Sequence, residues 1–255
     1  MQKPPTERFS SRVENYVKSR PSYPPAVLGA LWKDCGLTPE STVADIGSGT
    51  GLLAELFLQN GNAVYDVEHN AEMREAGERY LQSYPRFTSV VGTAEATTLP
   101  DDSAEFITAG QAFHWFDQAA AKREFQRILR PNGWVALVWN ERKLDATPFL
   151  QDYERLLETY ANDYQEVNHT QINAQVIAKF YAPHPVLLPT FAHSQKFDYE
   201  GLKARFLSSS YVPESESPHY DAMLADLAAV FQRNAQDGQI SFDYDTNLYC
   251  GQLNG

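Results

Sequence analysis

The chain has 255 residues, 43% of them hydrophobic, enough to bury one large α/β core with a smaller elaboration. Lys and Arg number 21 against 33 Asp and Glu, a formal charge of −12, which opposes polyphosphate backbones and anionic lipid surfaces and so argues against nucleic-acid and membrane partners. Cys35 and Cys250 are too few for a disulfide scaffold, no apolar run reaches about 18 residues, and Met1 to Pro5 lead into no apolar signal core, so a soluble cytoplasmic protein with reduced thiols is expected.

Taken in chain order, residues 7–37 read as helical with a break at 21–25, where prolines cluster. Residues 43–46 form a short, mostly apolar strand that enters a glycine turn. Leu52, Leu53, Leu56 and Phe57 recur at helical spacing over 52–60, and Gly61 closes that helix. A second strand is expected at 63–67, a charged amphipathic helix at 71–84, and strands at 88–91 and 105–109. Asp117 caps a helix that places Ala121, Phe125, Ile128 and Leu129 on one face. Residues 130–133 (RPNG) break it, and 134–139 are apolar throughout, as a strand buried on both faces should be. Beyond this core, 147–179 reads as a tyrosine-rich helical lid over the ligand edge, 201–209 as a short helix ended near Pro213, 221–236 as another helix, and 240–253 as a late edge strand. Strands alternating with helices imply right-handed crossovers and a doubly wound, mostly parallel sheet, whose ligands bind beyond the carboxyl ends of the strands.

The run Asp45-Ile46-Gly47-Ser48-Gly49-Thr50-Gly51 carries the sharpest chemistry. Its G-x-G-x-G spacing differs from the G-x-G-x-x-G of dinucleotide binders. The carboxylate of Asp45 would oppose a pyrophosphate but suits a cationic amine. Glu68 closes the second strand, where an acid accepts hydrogen bonds from ribose hydroxyls; the alternative is a solvated strand-end glutamate. The pattern therefore favours a cofactor with an ammonium group and no phosphates. His114 lies just past the fourth strand, either as a general base or as an orienting, packing side chain. Trp115 and Phe116 either line a substrate pocket or pack beneath the lid, and Tyr153, Tyr160 and Tyr164 read as lid core. Ser208, Ser209, Ser210 and Tyr211 either reach a substrate or simply end a helix. His169, His184, His193 and His219 have no metal-ligand spacing, and no metal is expected.

The run 43–141 resembles the class I S-adenosylmethionine-dependent methyltransferases of the broad type 11 group. The glycine turn resembles that family's first motif, 67–73 (VEHNAEM) its second-strand segment with His69 where proline is usual, and 92–95 (GTAE) the loop that flanks the adenine. Residues 110–116 (GQAFHWF) resemble the segment under the methionine moiety, and 129–133 (LRPNG) the turn before strand five. Residues 16–24 and 244–249 resemble a subgroup that includes trans-aconitate methyltransferases. The resemblance implies a seven-stranded Rossmann-like sheet with a helical lid, arranged as a single domain. Its cofactor core would span about 38–142, its cap about 1–37 and 143–235, and its last strand about 240–253. It implies S-adenosylmethionine as cofactor, held by Tyr16, Arg20, Asp45, Gly47, Ser48, Gly49, Gly51, Glu68, Asn70, Met73, Ala94, Glu95 and Gln111, with His114 the catalytic candidate and a small molecule as acceptor. Rival readings are a nicotinamide oxidoreductase, a nucleic-acid methyltransferase and a protein that binds the cofactor without turnover. The glycine spacing opposes the first and the charge opposes the second.

Overall fold

The computed structural model describes residues 21–161, 174–209 and 211–254. Its elements are α1 (Ala26–Cys35), β1 (Thr42–Ile46), α2 (Leu52–Gln59), β2 (Ala63–Val67), α3 (Ala71–Leu81), β3 (Phe87–Val90), β4 (Ala104–Gly110), a 3₁₀ turn (Phe113–Trp115), α4 (Gln118–Ile128) and β5 (Leu129–Arg142). They continue with α5 (Pro148–Tyr160), α6 (Ala174–Tyr181), β6 (Val186–Leu187), β7 (Thr190–Phe197), α7 (Tyr199–Leu207), α8 (Tyr220–Asn234) and β8 (Ile240–Gly251). Seven strands follow the order β3-β2-β1-β4-β5-β8-β6, and β7 pairs with β8 off that path. The β3–β2, β2–β1, β1–β4 and β4–β5 pairs are parallel and β6–β8 is antiparallel, so the expected mostly parallel sheet is present.

The chain divides into two compact units. One contains 22–140, 174–191 and 246–254 of the described residues, and it holds the parallel strands. Alternation along its strands sends neighbouring side chains to opposite faces. Val135, Leu137 and Trp139 of β5 join Ala121, Phe125 and Ile128 of α4 in one apolar cluster. Ala136 and Val138 join Val27 and Leu31 of α1 and Phe57 of α2 in another. Helices thus cover both faces, which is why β5 carries an unbroken apolar run. The second unit contains Pro21, 141–161, 192–209 and 211–245 of the described residues. Its interior is aromatic, built on Phe149 and Tyr153 of α5, Phe206 of α7 and Phe242 and Tyr244 of β8.

Local sequence sets the helix starts. Asp117 caps α4 by accepting from the Ala119 and Ala120 amides, each at 3.1 Å. Thr147 caps α5 from the Leu150 amide at 3.2 Å, with Pro148 following in the first turn. Several expectations need correction. The RPNG break does not separate α4 from β5: Ala104 pairs with Leu129 and Phe106 with Trp134, so residues 130–133 bulge out of a strand that begins earlier, with Asn132 at φ 63°. β6 and β7 were not expected, because Pro185, Pro189 and the polar Thr190, Ser194 and Lys196 mask a strand whose burial alternates all the same. The helical reading at 147–179 resolves into α5 and α6, with 162–173 outside the described residues, as is the helical reading at 7–20.

Candidate functional site

In the larger unit, β1 ends at Ile46 and the chain turns through three glycines with left-handed backbones, Gly47, Gly49 and Gly51. The turn is fastened to β2 by Gly47 and Ser48, whose amides donate to the Val67 carbonyl at 2.9 and 3.3 Å. Gly51 then leads into α2. A Cβ on Gly47 would sit 3.0 Å from Ala112 Cβ and 3.3 Å from Phe116 Cε1, and one on Gly51 would run into Leu81 of α3. Only glycine meets both the φ and the space at these two places.

Glu68 follows β2 and is almost fully buried. Its Oε2 accepts from the Gly49 amide at 2.9 Å and its Oε1 from the Asn70 amide at 2.7 Å, with His69 Nδ1 3.2 Å away. It therefore braces the glycine turn from the neighbouring strand. Its Oε2 keeps a further lone pair. Asn70 caps α3 from the Met73 amide at 3.1 Å, which brings Met73 under the turn, its Cε 3.4 Å from where a Gly49 Cβ would lie. Glu95 accepts from the Asp117 amide at 2.8 Å and so ties the loop after β3 to the start of α4, with Ala94 buried beside it.

Asp45 is fully buried and accepts from Thr108 Oγ1 of β4 at 2.7 Å. Burial, then the nearby Asp66, pushes its carboxyl well above the usual range. Asp66 is level with Asp45 across the β1–β2 pairing and is also fully buried. Burial raises it to about 7; the Ser48 hydroxyl opposes that rise, and Glu68 and Glu78 add to it. Asp45, Asp66 and Glu68 thus form an acidic floor at the carboxyl ends of β1 and β2. Sequence reasoning missed Asp66 and Thr108. The signal for Asp66 was a carboxylate in the middle of the otherwise strand-like AVYDV run.

Beyond β4, Gln111 adopts φ 55°; its amide donates to the Val138 carbonyl at 3.0 Å and its Nε2 to the Asn140 carbonyl at 3.1 Å. Its buried Oε1 has no donor among the described residues. The 3₁₀ turn follows. Phe113 and Phe116 pack edge-on into the core with Phe125 and Phe180, which settles Phe116 as at least in part a packing residue. The His114 ring lies 4.5 Å from that of Trp115 and 6.0 Å from that of Trp139. Trp115 is exposed. β4 itself is approached by Tyr23, whose hydroxyl occupies the space that a Gly110 Cβ would need. Tyr16 and Arg20 lie outside the described residues.

Residues 44–137, which hold all of these parallel-sheet features, match the family described as a methyltransferase domain. This region is a class I S-adenosylmethionine-dependent methyltransferase domain. The chain is 26% identical over 248 residues to an uncharacterised methyltransferase of Schizosaccharomyces pombe, covering 96% of both chains. It is 38% identical over 136 residues to an uncharacterised methyltransferase of Mycobacterium tuberculosis, covering 52% of each. Among solved structures it superposes on an Anaeromyxobacter dehalogenans protein named as a type II methyltransferase with a TM-score of 0.64 at 18% identity, covering 92% of this chain and 98% of that one, a likeness of fold.

The methyltransferase uses S-adenosylmethionine, and the residues present fit it. Gly47 leaves a cradle that any Cβ would fill, and the Gln111 Oε1 is a buried acceptor suited to an ammonium donor. The acidic floor suits a molecule carrying sulfonium and ammonium charges, since opposite charge favours the ionised carboxylates. Among the described residues no group of three His, Cys, Asp or Glu side chains is placed to hold a metal, and no helix is long and apolar enough to cross a membrane.

In the smaller unit Tyr153 is buried in the aromatic interior, the Arg142 guanidinium lies 5.2 Å from its ring centroid, and Arg142 pairs with Glu154 at 2.5 Å. Arg205 stands over the rings of Phe242 and Tyr244 at 4.5 and 5.6 Å. Tyr160 donates to Asp226 at 2.7 Å, at the surface, and Tyr164 lies outside the described residues. The Ser208 hydroxyl donates to the Arg205 carbonyl at 2.7 Å, the bond of a helix end, and Ser210 lies outside the described residues.

Proposed function

We propose that the methyltransferase acts on a small-molecule acceptor by in-line displacement, within a single functional domain. The acidic floor beneath the glycine turn carries this reading, because it favours a cationic methyl donor over a phosphate-bearing cofactor, and the charge of −12 argues against a polyanionic acceptor. Once bound, S-adenosylmethionine supplies an electrophilic methyl on a sulfonium, which an acceptor lone pair takes as the carbon–sulfur bond breaks and the electron pair returns to sulfur. The backbone at Gly47, Ser48, Gly49 and Gly51 admits the donor closely. Glu68 offers the remaining lone pair of its Oε2 to a ribose hydroxyl, and Asn70, Met73, Ala94 and Glu95 flank the adenine side. Gln111 accepts from the ammonium through its buried Oε1. His114 takes a proton when the acceptor nucleophile carries one; a carboxylate acceptor needs no base. Positioning of this kind lowers a barrier by roughly 7–11 kcal/mol, so a methyltransferase needs no other reactive side chain.

Two measurements test the proposal. Titration calorimetry compares S-adenosylmethionine binding to the native protein, Glu68→Ala and Glu68→Gln. A charge-assisted hydrogen bond contributes about 1.5–3 kcal/mol, so the alanine variant should bind about 10- to 100-fold more weakly. Unchanged affinity removes Glu68 from the ribose role. Incubation with small organic acids and other metabolites should then release S-adenosylhomocysteine above the rate with protein alone. Methylation of added nucleic acid, with none of the small molecules, would overturn the acceptor class.

A further inference from the structure

Cys35 closes α1 and Cys250 lies near the end of β8, 215 residues apart in sequence, and their sulfurs are 3.2 Å from one another. Both are free thiols. Both belong to the larger unit, where Cys250 is buried in the apolar cluster that α1 and α2 share with the sheet and Cys35 packs against it, half-buried. The pair has no part in the methyl-transfer site. A contact of 3.2 Å needs an approach of only about 1 Å to reach the length of a disulfide bond, about 2.05 Å. The two thiols also differ in a useful way. The hydrogen bond from Cys250 holds the Cys35 thiol below its ordinary value, against burial and Asp34, whereas the same contact and burial raise Cys250. Cys35, the less buried of the two, is thus the thiol more readily ionised, and the buried Cys250 sulfur lies beside it. That is the arrangement of an attacking and a resolving cysteine.

We propose that Cys35 and Cys250 are a thiol-oxidation site that closes to an intramolecular disulfide, with a hydroperoxide as the oxidant. The Cys35 thiolate attacks a peroxide oxygen; a sulfur–oxygen bond forms, the oxygen–oxygen bond breaks, and with hydrogen peroxide the leaving hydroxide takes a proton to become water. Cys250, losing its proton, then attacks the Cys35 sulfur; the sulfur–sulfur bond forms, the sulfur–oxygen bond breaks, and a second water leaves. The two thiols are oxidised by two electrons and one peroxide is reduced to two waters. A dithiol reverses the step by exchange. The bond would tie the C-terminal end of α1 to β8. Two prolines separate α1 from Ser22, whose carbonyl accepts from Asn140 at 3.2 Å, and Tyr23, which lies against Gly110, so oxidation pins the helix that continues from the flank of the cofactor-binding strands.

The protein has two cysteines, which makes the experiment clean. The native protein is treated with stoichiometric hydrogen peroxide and followed by intact mass, by thiol titration in denaturant, and by non-reducing electrophoresis. The expected result is a loss of about 2 Da, a fall from two thiols to none, monomeric migration, and restoration by dithiothreitol. Cys35→Ser should keep its Cys250 thiol under the same treatment, and Cys250→Ser should gain oxygen on Cys35 without the loss of about 2 Da. The oxidised native protein should melt at least about 5 °C higher, since a cross-link across so long a loop restricts the unfolded chain, and amide exchange over Ala26–Cys35 should slow. Persistence of both thiols, accumulation of sulfinic or sulfonic acid at Cys35 in the native protein, or a cross-link between chains would each overturn the proposal.

Discussion

Asp66 is the residue whose burial is hardest to reconcile with its charge. It sits level with Asp45, and burial raises it to about 7. In the unfolded chain it titrates near 3.9. Between those values the native state holds a proton that the unfolded state has lost, so the contribution of Asp66 to stability falls as pH rises from about 4 to 7 and stays low above. Asp45 acts in the same direction. Asp66→Asn cannot ionise, so it should flatten this slope. It should match the native protein near pH 4 and exceed its stability at pH 8 by up to roughly 4 kcal/mol, at about 1.4 kcal/mol per unit. Denaturant melts at the two pH values check this, and an equal or lower stability of the variant at pH 8 would contradict the buried, raised carboxyl. Gly47 gives a second residue-level prediction. Alanine there meets both a left-handed φ of 64° and Ala112 Cβ at 3.0 Å, and the conformation alone costs roughly 1–2 kcal/mol. Gly47→Ala should melt a few degrees lower and bind S-adenosylmethionine at least about tenfold more weakly, because relief of the contact moves the turn into the cradle. Native-like affinity in a titration would show that the turn has slack.

Tyr181 at the end of α6 is one of the polar links between elements. Its buried hydroxyl lies 2.8 Å from the Tyr249 carbonyl of β8 and 3.1 Å from the Val135 carbonyl of β5, within the larger unit. Tyr181→Phe keeps the ring packed and removes the shared donor, so a loss of about 1–3 kcal/mol is expected in a denaturant melt. A loss under a few tenths would mean that the carbonyls are satisfied along the strands alone. The helical reading of 147–179 reaches into α6, but this contact could not be read from sequence, because Tyr181 lies just past that stretch with nothing to mark it out from Tyr160. The parallel strands were legible for a physical reason. β1, β4 and β5 are covered on both faces, so their apolar runs are long and stand out between the polar surfaces of α3 and α4. The glycine turn was legible because φ and close approach exclude other residues. β7 was hidden because its exposed face carries Thr190, Ala192, Ser194 and Lys196, which read as loop until β8 is seen beside it. The bulge in β5 was hidden because a Pro-Asn-Gly turn within a strand looks, in sequence, like the end of one. In the site, Glu68 and the glycines were found through their spacing, whereas Asp66 and Thr108 reveal themselves only when the register of β1 with β2 and β4 is known.

For the whole molecule, charge and cofactor choice can be tested in one measurement. A ligand that binds only the native state stabilises it by about 2.7 kcal/mol at a concentration 100 times its dissociation constant. In a chain of 255 residues each kcal/mol moves the melting temperature by roughly 2–4 °C, so saturating S-adenosylmethionine should raise it by about 5–10 °C. NAD presents a pyrophosphate to a turn beside Asp66, whose carboxyl ionises near 7, and should leave the midpoint within about a degree, since that charge opposes it and the G-x-G-x-G turn lacks the dinucleotide spacing. The contrast should depend on pH. As Asp66 loses its proton near 7 the floor becomes more negative, so the shift with the cationic cofactor should widen between pH 6 and 8, whereas S-adenosylhomocysteine, which keeps the ammonium but lacks the sulfonium charge, should show a smaller widening. Equal pH dependence for the two would mean that the floor supports the turn without sensing the charge of what lies above it.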